Sequence, residues 1–442
     1  MKNLFDEFKP VSYNDWLAQL QKDLKDKSLN DLISFPEKDI EIKAYYHPQQ
    51  NNFKSLNPTA ANDIARNSNE WFIRKEYTSE NNTTILSDLN DGINAISVHA
   101  ESQQSFDQLT KGILFEHIIA DVKFDNLKSA TEIKTPEQCI LNFDIISLNQ
   151  KIGETKFSLD DFYAFYQKNA KHKSIWVNGF CYGKAGATTV QELAFTLAHL
   201  NEYIQFLVDK KEDLNSIVNK ITIELSVNEN YFVNLSKFRA IRELIVLVLS
   251  AYGYNIEQQK SIPIYAKTSG RHLTQNDANN NLLRQTTQAM SAILGGCNVL
   301  TVSTLQNQPE QNRLAKNIQL ILKEESYFDK VVDPAAGSYF IEDLTNQLIE
   351  KSWKLFQEIE EQGGLIDAVK KNKIQNWITE NQSRYIEQVN SNQKTFLGIN
   401  KFQSKLETWI EPKSPENKQG KEFDRLVPFQ LENYFTQKNL AQ

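Results

Sequence analysis

The sequence predicts an α/β protein built as a (β/α)8 TIM barrel. Short apolar runs alternate with helical patterns from about residue 94 onward. This alternation is typical of parallel strands joined by crossover helices. Eight such repeats over roughly 250 residues match a closed barrel in number and length. A doubly wound open sheet remains the alternative, because periodicity alone does not choose between the two architectures.

Each strand is expected at an apolar run, and each helix at an apolar stripe of helical period. The strand runs are NAISVHA (94–100), ILFEHIIA (113–120), CILNFDII (139–146), SIWVNGF (174–180), ITIELSV (221–227), IPIYAK (262–267), NVLTVS (298–303) and a weaker eighth, SYFIE (338–342). The helices are expected at 159–170, 188–210, 235–252, 277–294, 313–325 and 344–361.

The composition limits the classes of protein that the chain can belong to. Hydrophobic residues make up 40% of the 442 residues, enough for a large core, and the net charge of −7 argues against nucleic-acid and membrane-surface partners. No apolar run approaches the roughly 18 residues of a membrane span, and the chain begins without the apolar stretch of a signal peptide. We therefore expect a cytoplasmic protein.

The two ends of the chain differ from the barrel pattern. Residues 1–60 are predicted to form an arm of one amphipathic helix plus extended chain, residues 61–395 the barrel, and residues 396–442 a linker or tail. In the arm, Trp16, Leu17, Leu20 and Leu24 form an apolar stripe at helical spacing. The stripe has two interpretations, a cap on the chain's own barrel or an interface with a partner.

In a barrel, chemistry is expected just past the carboxyl end of each strand. GFCYGKAG (179–186) follows the fourth run, and its Cys181 is either a nucleophile or, more commonly, a small buried hydrophobe. KTSGRH (267–272) follows the sixth run. Either its cations and the backbone amides at the start of the next helix bind phosphate, or that helix is capped by Thr or Asp and the charges are solvated.

No metal site is expected. The six histidines are not paired at metal-binding spacing, and Cys139, Cys181 and Cys297 form no CxxC pair. A Gly-rich phosphate loop of either common type is also missing from the sequence.

Several long segments resemble the barrel-bearing part of methylmalonyl-CoA mutases. These segments are KTSGRHLTQNDANNNLLRQTTQAMSAILGG (267–296), RLAKNIQLILKEESYFDKVVDPAAGSYFIEDLT (313–345), EEQGG (360–364), GKAGATTVQELAFTLAHLNEYI (183–204) and WFIRKEY (71–77). The resemblance covers roughly residues 40–395 and is highly specific when the segments are taken together. It implies a barrel along whose axis a CoA tail passes, and a separate flavodoxin-like domain whose DxHxxG motif ligates cobalamin.

The departures from this family pattern point to a degenerate member. Catalytic chains carry a Tyr-His pair where this sequence has Phe180 and Cys181, and a thiol is too short and too weak a donor to replace the His. Glu76 stands at the place of a catalytic Tyr, where we expect it to put an uncompensated negative charge near an anionic ligand, and Lys267 replaces a Gln.

The resemblance therefore implies the small, non-catalytic subunit of a heterodimeric mutase. No DxHxxG motif occurs, so the cobalamin-binding domain is expected to be absent and adenosylcobalamin to reside on the large subunit. The arm, with Trp16, Leu17, Leu20 and Leu24, would then clasp that partner. Candidates for vestigial CoA contacts are Arg74, Lys267, Ser269 and Arg271.

Two other interpretations remain open at this stage. The chain could be the catalytic barrel of a split acyl-CoA mutase that works with a separate cobalamin protein, or an independent acyl-CoA-binding barrel. The loss of the polar residues at Phe180 and Cys181 counts against the first of these.

Overall fold

The structure, a computed structural model, describes residues 11–47, 68–78, 81–255, 262–276, 278–306, 308–403, 410 and 412–435. Residues 48–60 of the predicted arm, the predicted helix start at Asp277 and the last seven residues lie outside these ranges. Within the described ranges, no helix has the length and apolar character needed to span a lipid bilayer.

Eight parallel strands form the predicted barrel. They are β3 (Phe72–Tyr77), β4 (Ala95–His99), β5 (Ile119–Lys123), β6 (Ile140–Asn142), β7 (Ile175–Asn178), β8 (Ile221–Val227), β9 (Ile264–Thr268) and β10 (Val299–Thr301). Along the sheet their order is β6-β5-β4-β3-β10-β9-β8-β7, and a parallel bridge between Ile140 and Lys173 joins the two edges. The closed barrel, rather than the open sheet, is therefore confirmed.

Helices surround the barrel and bury their apolar stripes against it. In the longest stripe, Leu193, Leu197, Leu200 and Ile204 are fully buried at the helical spacing that the sequence shows. The helices are α1 (Tyr13–Leu24), α2 (Asn82–Asn90), α3 (Gln103–Thr110), α4 (Leu127–Glu132), α5 (Ile145–Ile152), α6 (Leu159–Lys168), α7 (Phe180–Lys184), α8 (Thr189–Asp209), α9 (Leu214–Asn219), α10 (Tyr231–Ala251), α11 (Asn280–Leu294), α12 (Pro309–Leu320), α13 (Tyr339–Glu361), α14 (Gly364–Lys370) and α15 (Lys373–Asn390).

The strand predicted at 338–342 was wrong, and β3 is the eighth strand of the barrel instead. The SYFIE segment (338–342) begins α13, where Ile341, Leu344 and Leu348 are buried at helical spacing. The eighth strand is β3, at the amino-terminal side of all the predicted runs. The run at 113–120 is also displaced, because it forms a 3-10 turn at Phe115–His117 before β5 begins.

The arm begins with α1, followed by a two-stranded hairpin of β1 (Ser34–Glu37) and β2 (Ile40–Ile42). The hairpin packs on the barrel's own helices: the Glu37 carboxylate accepts hydrogen bonds from the backbone N–H and Oγ1 of Thr189, at 2.7 and 2.8 Å. α1 has no buried residue, and Trp16 stacks on Tyr45 with 4.7 Å between ring centroids.

The segment 412–435, called the strap below, runs across the carboxyl ends of the strands. Backbone N–H groups of Leu426, Phe429 and Leu431 donate to the carbonyls of Gln150, Lys184 and Arg271 at 2.9, 2.9 and 3.0 Å. The strap is anchored in a small apolar cluster separate from the main core, where its Phe429, Leu431 and Phe435 pack with Val389, Phe396 and Ile399. It therefore roofs the barrel mouth.

Candidate functional site

The strand alternation directs charged side chains into the barrel. On β3, Ile73 and Tyr77 face the surrounding helices and are buried in the main core, so Arg74 and Glu76 face the axis. The same alternation turns Asp121 of β5, Glu224 of β8 and Lys267 of β9 inward. Five charged groups thus meet inside one barrel.

Arg74 is the centre of this group and is almost fully buried. Its Nε donates to Asp121 Oδ1 at 2.7 Å, and its Nη2 donates to Asp121 Oδ2 at 2.9 Å. Its Nη1 reaches Thr301 Oγ1 at 3.0 Å and Glu224 Oε1 at 3.3 Å. Burial raises the pKa of Glu224, while Arg74 acts against that rise. The Arg74 guanidinium is therefore already hydrogen-bonded to buried carboxylates of the same chain.

Glu76 and Lys267 form a second ion pair just above Arg74. Lys267 Nζ lies 2.6 and 2.5 Å from the two carboxylate oxygens of Glu76, and Arg74 Nη1 lies 3.2 Å from Glu76 Oε1. Burial opposes ionisation of Glu76, but Lys267 and Arg74 outweigh it and hold the pKa of Glu76 well below its ordinary value. The expectation of an uncompensated charge at Glu76 was wrong, because the change at position 267 supplies its partner.

Two aromatic rings close the barrel axis below these charges. Trp176 and Tyr265 are each 1% exposed and pack edge to face with 5.0 Å between ring centroids. The Arg74 guanidinium carbon lies 5.8 Å from the Trp176 ring and 5.4 Å from the Tyr265 ring. The route along the axis that the family resemblance implies for a CoA tail is filled by these side chains.

Two adjoining cavities remain between the charges and the strap. Their volumes are about 430 Å³ and about 320 Å³. Side chains that line both are Arg74, Glu76, Phe180, Lys184, Lys267 and Pro428. Because Pro428 belongs to the strap, both cavities are roofed by the chain itself.

Phe180 and Cys181 are the first two residues of α7, the short helix that follows β7. Phe180 is buried, with Lys184 Nζ and Lys267 Nζ at 5.6 and 4.8 Å from its ring centroid. The Cys181 Sγ donates to the Asn178 carbonyl at 3.0 Å. Burial raises the pKa of the Cys181 thiol, and Asp144 raises it further. A thiol held in its protonated form is a poor nucleophile, so this environment favours the structural interpretation of Cys181.

The four candidate CoA contacts separate in space. Arg74, Lys267 and Ser269 line the larger cavity. Arg271 is buried beneath it, where its Nη2 lies 3.2 Å from Glu229 Oε2. All three charged side chains are thus engaged with carboxylates of the same chain, and their role in ligand binding remains a prediction.

Sequence reasoning missed the buried carboxylates of the site. Asp121 and Glu224 lie in the middle of apolar strands, and a charge at an inward position of a strand is the sequence feature that could have found them. Asp144 was also missed; it accepts from His199 Nε2 at 2.9 Å and from Tyr203 Oη at 2.6 Å. No spacing rule connects residues so far apart in sequence.

Among the described residues, the mouth presents no histidine that could ligate a cobalt ion. Neither cavity is lined by a histidine of the described ranges. His199 lies behind the mouth, fully buried and bonded to Asp144 and Tyr182. Over the part of the chain that the structure describes, no three His, Cys, Asp or Glu side chains are grouped so that they could hold a metal. We therefore derive no cobalamin chemistry from this chain.

A family model and curated relatives of this chain both point to the same protein family. The family model for methylmalonyl-CoA mutase matches residues 151–431. A methylmalonyl-CoA mutase small subunit from Porphyromonas gingivalis is 28% identical over 91% of this chain and 71% of its own length. The large subunit from the same organism is 31% identical, over 53% of this chain and 34% of its own length.

Other relatives match a shorter stretch. A methylmalonyl-CoA mutase from Rhizobium meliloti is 34% identical over 54% of this chain, but the match spans only 35% of that protein. Among solved structures, a match to Yersinia pestis DHPS with a pterine-sulfa conjugate covers 57% of this chain and 95% of that one, with 13% identity and a TM-score of 0.29. That likeness is too weak to support an argument.

Proposed function

The chain belongs to the methylmalonyl-CoA mutase family, and on that premise we propose that it is a non-catalytic small subunit of a heterodimeric mutase. In this proposal the large subunit carries adenosylcobalamin and interconverts methylmalonyl-CoA and succinyl-CoA. This chain stabilises that subunit. The names of the two Porphyromonas gingivalis relatives, a small and a large subunit, support such a pairing.

The filled barrel axis is the observation that carries the proposal. An acyl-CoA threaded through the barrel would need the space that Arg74, Trp176 and Tyr265 occupy. Opening that space would separate Arg74 from Asp121 and leave a buried carboxylate without its partner, which costs several kcal/mol. The barrel interior is therefore more stable with its axis packed by these side chains than with the axis opened to admit an acyl-CoA.

The changes at catalytic positions support the same conclusion. Glu76 and Lys267, which depart together from the family pattern, neutralise each other at a distance of 2.5 Å. Phe180 and Cys181 offer no strong hydrogen-bond donor to a substrate carbonyl, because the Cys181 thiol already donates to the Asn178 carbonyl. The charged and polar groups at these positions are thus paired with groups of the same chain.

The arm supports a partner-binding role. Trp16, Leu17, Leu20 and Leu24 lie on α1, none of whose residues is buried within this chain. A strongly apolar stripe that stays partly exposed is typical of an interface. We therefore assign α1 to the contact with the large subunit.

A titration of the full chain with methylmalonyl-CoA tests the proposal. We expect isothermal calorimetry to detect no binding by the chain alone, and binding only after the large subunit is added. In the reconstituted complex, Cys181→Ala should leave mutase turnover unchanged. Tight binding by the chain alone, or loss of turnover in Cys181→Ala, would instead support the catalytic barrel of a split mutase working with a separate cobalamin protein.

A further inference from the structure

Among the described residues that line the larger cavity, Lys184 is the lysine without an ion-pair partner. Its side chain also lines the smaller cavity, so it borders both spaces. Its Nζ forms no ion pair with, and donates no hydrogen bond to, any residue that the structure describes. The other three lysines of the larger cavity are paired: Lys75 with Asp88 at 2.6 Å, Lys267 with Glu76 at 2.5 Å and Lys316 with Asp91 at 3.5 Å.

The surroundings of Lys184 favour a neutral amine. Lys184 ends α7, where its backbone carbonyl accepts from the Phe429 N–H of the strap at 2.9 Å and its Nζ lies 5.6 Å from the centroid of the Phe180 ring. Burial, assisted by nearby lysines and opposed by nearby carboxylates, lowers the pKa of Lys184 to about 8. About a quarter of the side chain is then uncharged at pH 7.5. A lysine that is desolvated and lies beside another cation is an activated nucleophile.

A second polar group of the larger cavity has a proton to donate. Ser269 is 5% exposed, and its Oγ accepts from the Arg271 N–H at 3.4 Å. The Ser269 hydroxyl donates to no residue within the described ranges. A carbonyl compound in this cavity therefore meets a donor for its oxygen and a nucleophile for its carbon.

We propose that Lys184 forms a reversible imine with a small uncharged aldehyde or ketone in the larger cavity, where Ser269 donates to the carbonyl oxygen. The Nζ lone pair forms a bond to the carbonyl carbon and gives a carbinolamine. The carbon–oxygen bond then breaks, and the oxygen leaves as water with the two protons that the amine loses.

The cavity determines the class of ligand. Its volume of about 430 Å³ fits a compact molecule, and the paired state of its other three lysines leaves no free cation there for an anionic group. This inference goes beyond the proposed function, because it assigns a ligand to this chain alone and does not involve an acyl-CoA.

Reductive trapping on the full chain tests the proposal. The chain is incubated with propanal and sodium cyanoborohydride, which reduces an imine to a stable secondary amine, and peptide mass mapping identifies the modified lysines. Lys171 is the internal reference, because it is 76% exposed and Glu137 raises its pKa. At pH 7 we expect Lys184 to react at least about tenfold faster than Lys171. The Lys184 rate should saturate with propanal, whereas the Lys171 rate should rise linearly.

The pH and two variants assign the reaction to the cavity. The ratio of Lys184 to Lys171 labelling should fall as the pH rises from 7 to 9.5, because Lys171 also begins to lose its proton. Ser269→Ala should raise the half-saturating propanal concentration about threefold, and Lys184→Met should leave no saturable product. Pyruvate, an anionic ketone, should saturate more weakly than propanal. Equal labelling of the two lysines, a Lys184 rate that does not saturate, or tighter saturation by pyruvate would overturn the proposal.

Discussion

At the scale of single residues, Glu76 and Lys267 determine how the mouth of the barrel behaves. The Lys267 side chain is 17% exposed and the Glu76 side chain 35% exposed, so their attraction is only partly screened by water. The pair also adjoins Arg74, which means that loss of Lys267 leaves one guanidinium facing three carboxylates. The stability of the mouth should therefore depend on both partners together.

A double-mutant cycle measures that dependence. We expect Lys267→Met to lower the free energy of unfolding by roughly 1–2 kcal/mol, less than for a fully buried pair because Glu76 is partly exposed. Adding Glu76→Gln should recover most of the loss, since no uncompensated charge then remains. Urea unfolding gives the values. Strict additivity of the two single changes would contradict the coupling.

A surface pair provides the control for this cycle. Lys171 lies 2.6 Å from Glu137, but the two side chains are 76% and 62% exposed. Lys171→Met should change the free energy of unfolding by less than about 1 kcal/mol.

Single residues also show where sequence reasoning succeeds and fails. Arg74, Glu76, Phe180, Cys181 and Lys267 could be selected from sequence because they fall on recognisable family segments. Their chemistry could not be derived, because Glu76 and Lys267 are 191 positions apart and only the barrel brings them together. The error at Glu76 arose from considering that position without its partner.

At the scale of elements, apolar periodicity predicts strands and helices well where one face is buried. β8 coincides with its predicted run at both ends, and α6, α8 and α11 lie within two or three residues of prediction. The pattern failed at SYFIE, because five residues are too few to distinguish a strand from the first turns of a helix. It also missed β3, whose inward positions are charged.

The contact between α8 and α13 carries a titrating group. Asn201 Nδ2 of α8 donates to Glu360 Oε2 of α13 at 2.7 Å, and burial raises the pKa of Glu360 to about 7. An unfolded glutamate has a pKa of about 4.3, so the folded state binds the extra proton between these values. The stabilisation that comes from keeping Glu360 protonated in the folded state is present at low pH and is lost as the pH rises through about 7.

The variant Glu360→Gln should remove this pH dependence. We expect it to be more stable than the unchanged protein at pH 8.5 and similar to it at pH 5, because glutamine cannot ionise. Denaturant unfolding at the two pH values provides the comparison. An equal change in stability at both values would show that Glu360 does not titrate in this range.

The strap is the element that roofs the mouth, and its anchor can be tested separately. Phe429 is buried in the separate apolar cluster that anchors the strap, and its truncation to alanine creates a cavity there. In Phe429→Ala, the amides of Leu426, Phe429 and Leu431 should exchange with solvent at least about tenfold faster, while those of β8 stay protected. Phe402→Ala is the control, since Phe402 is 77% exposed. Global acceleration would mean that the strap is not a separate unit.

At the scale of the whole molecule, the barrel pairs its internal charges with one another, and the arm carries a helix, α1, that buries none of its residues. The barrel fold follows from sequence periodicity, and the family from motif resemblance. Neither the periodicity nor the resemblance predicts that Trp176 and Tyr265 fill the barrel axis, because that depends on which side chains meet inside the barrel. Under the proposed function, the chain acts by binding its partner subunit.

Substitutions on α1 test the arm as an interface. Trp16→Glu with Leu20→Glu places two charges on the apolar stripe, and we expect recovery of the large subunit in co-purification to fall at least about tenfold. The melting temperature of the isolated chain should hardly change, since α1 buries no residue within it. Gln19→Glu, at an exposed position of the same helix, should leave recovery unchanged. Equal losses in both variants would remove the stripe from the interface.

Affinity purification of this chain from its native extract distinguishes the heterodimer from the split mutase. The masses of co-eluting proteins and the absorbance of bound cobalamin are measured together. We expect a partner of full-length mutase size that carries the cobalamin. A small cobalamin-domain protein in its place would exclude the heterodimer and make this barrel the catalytic half of a split mutase.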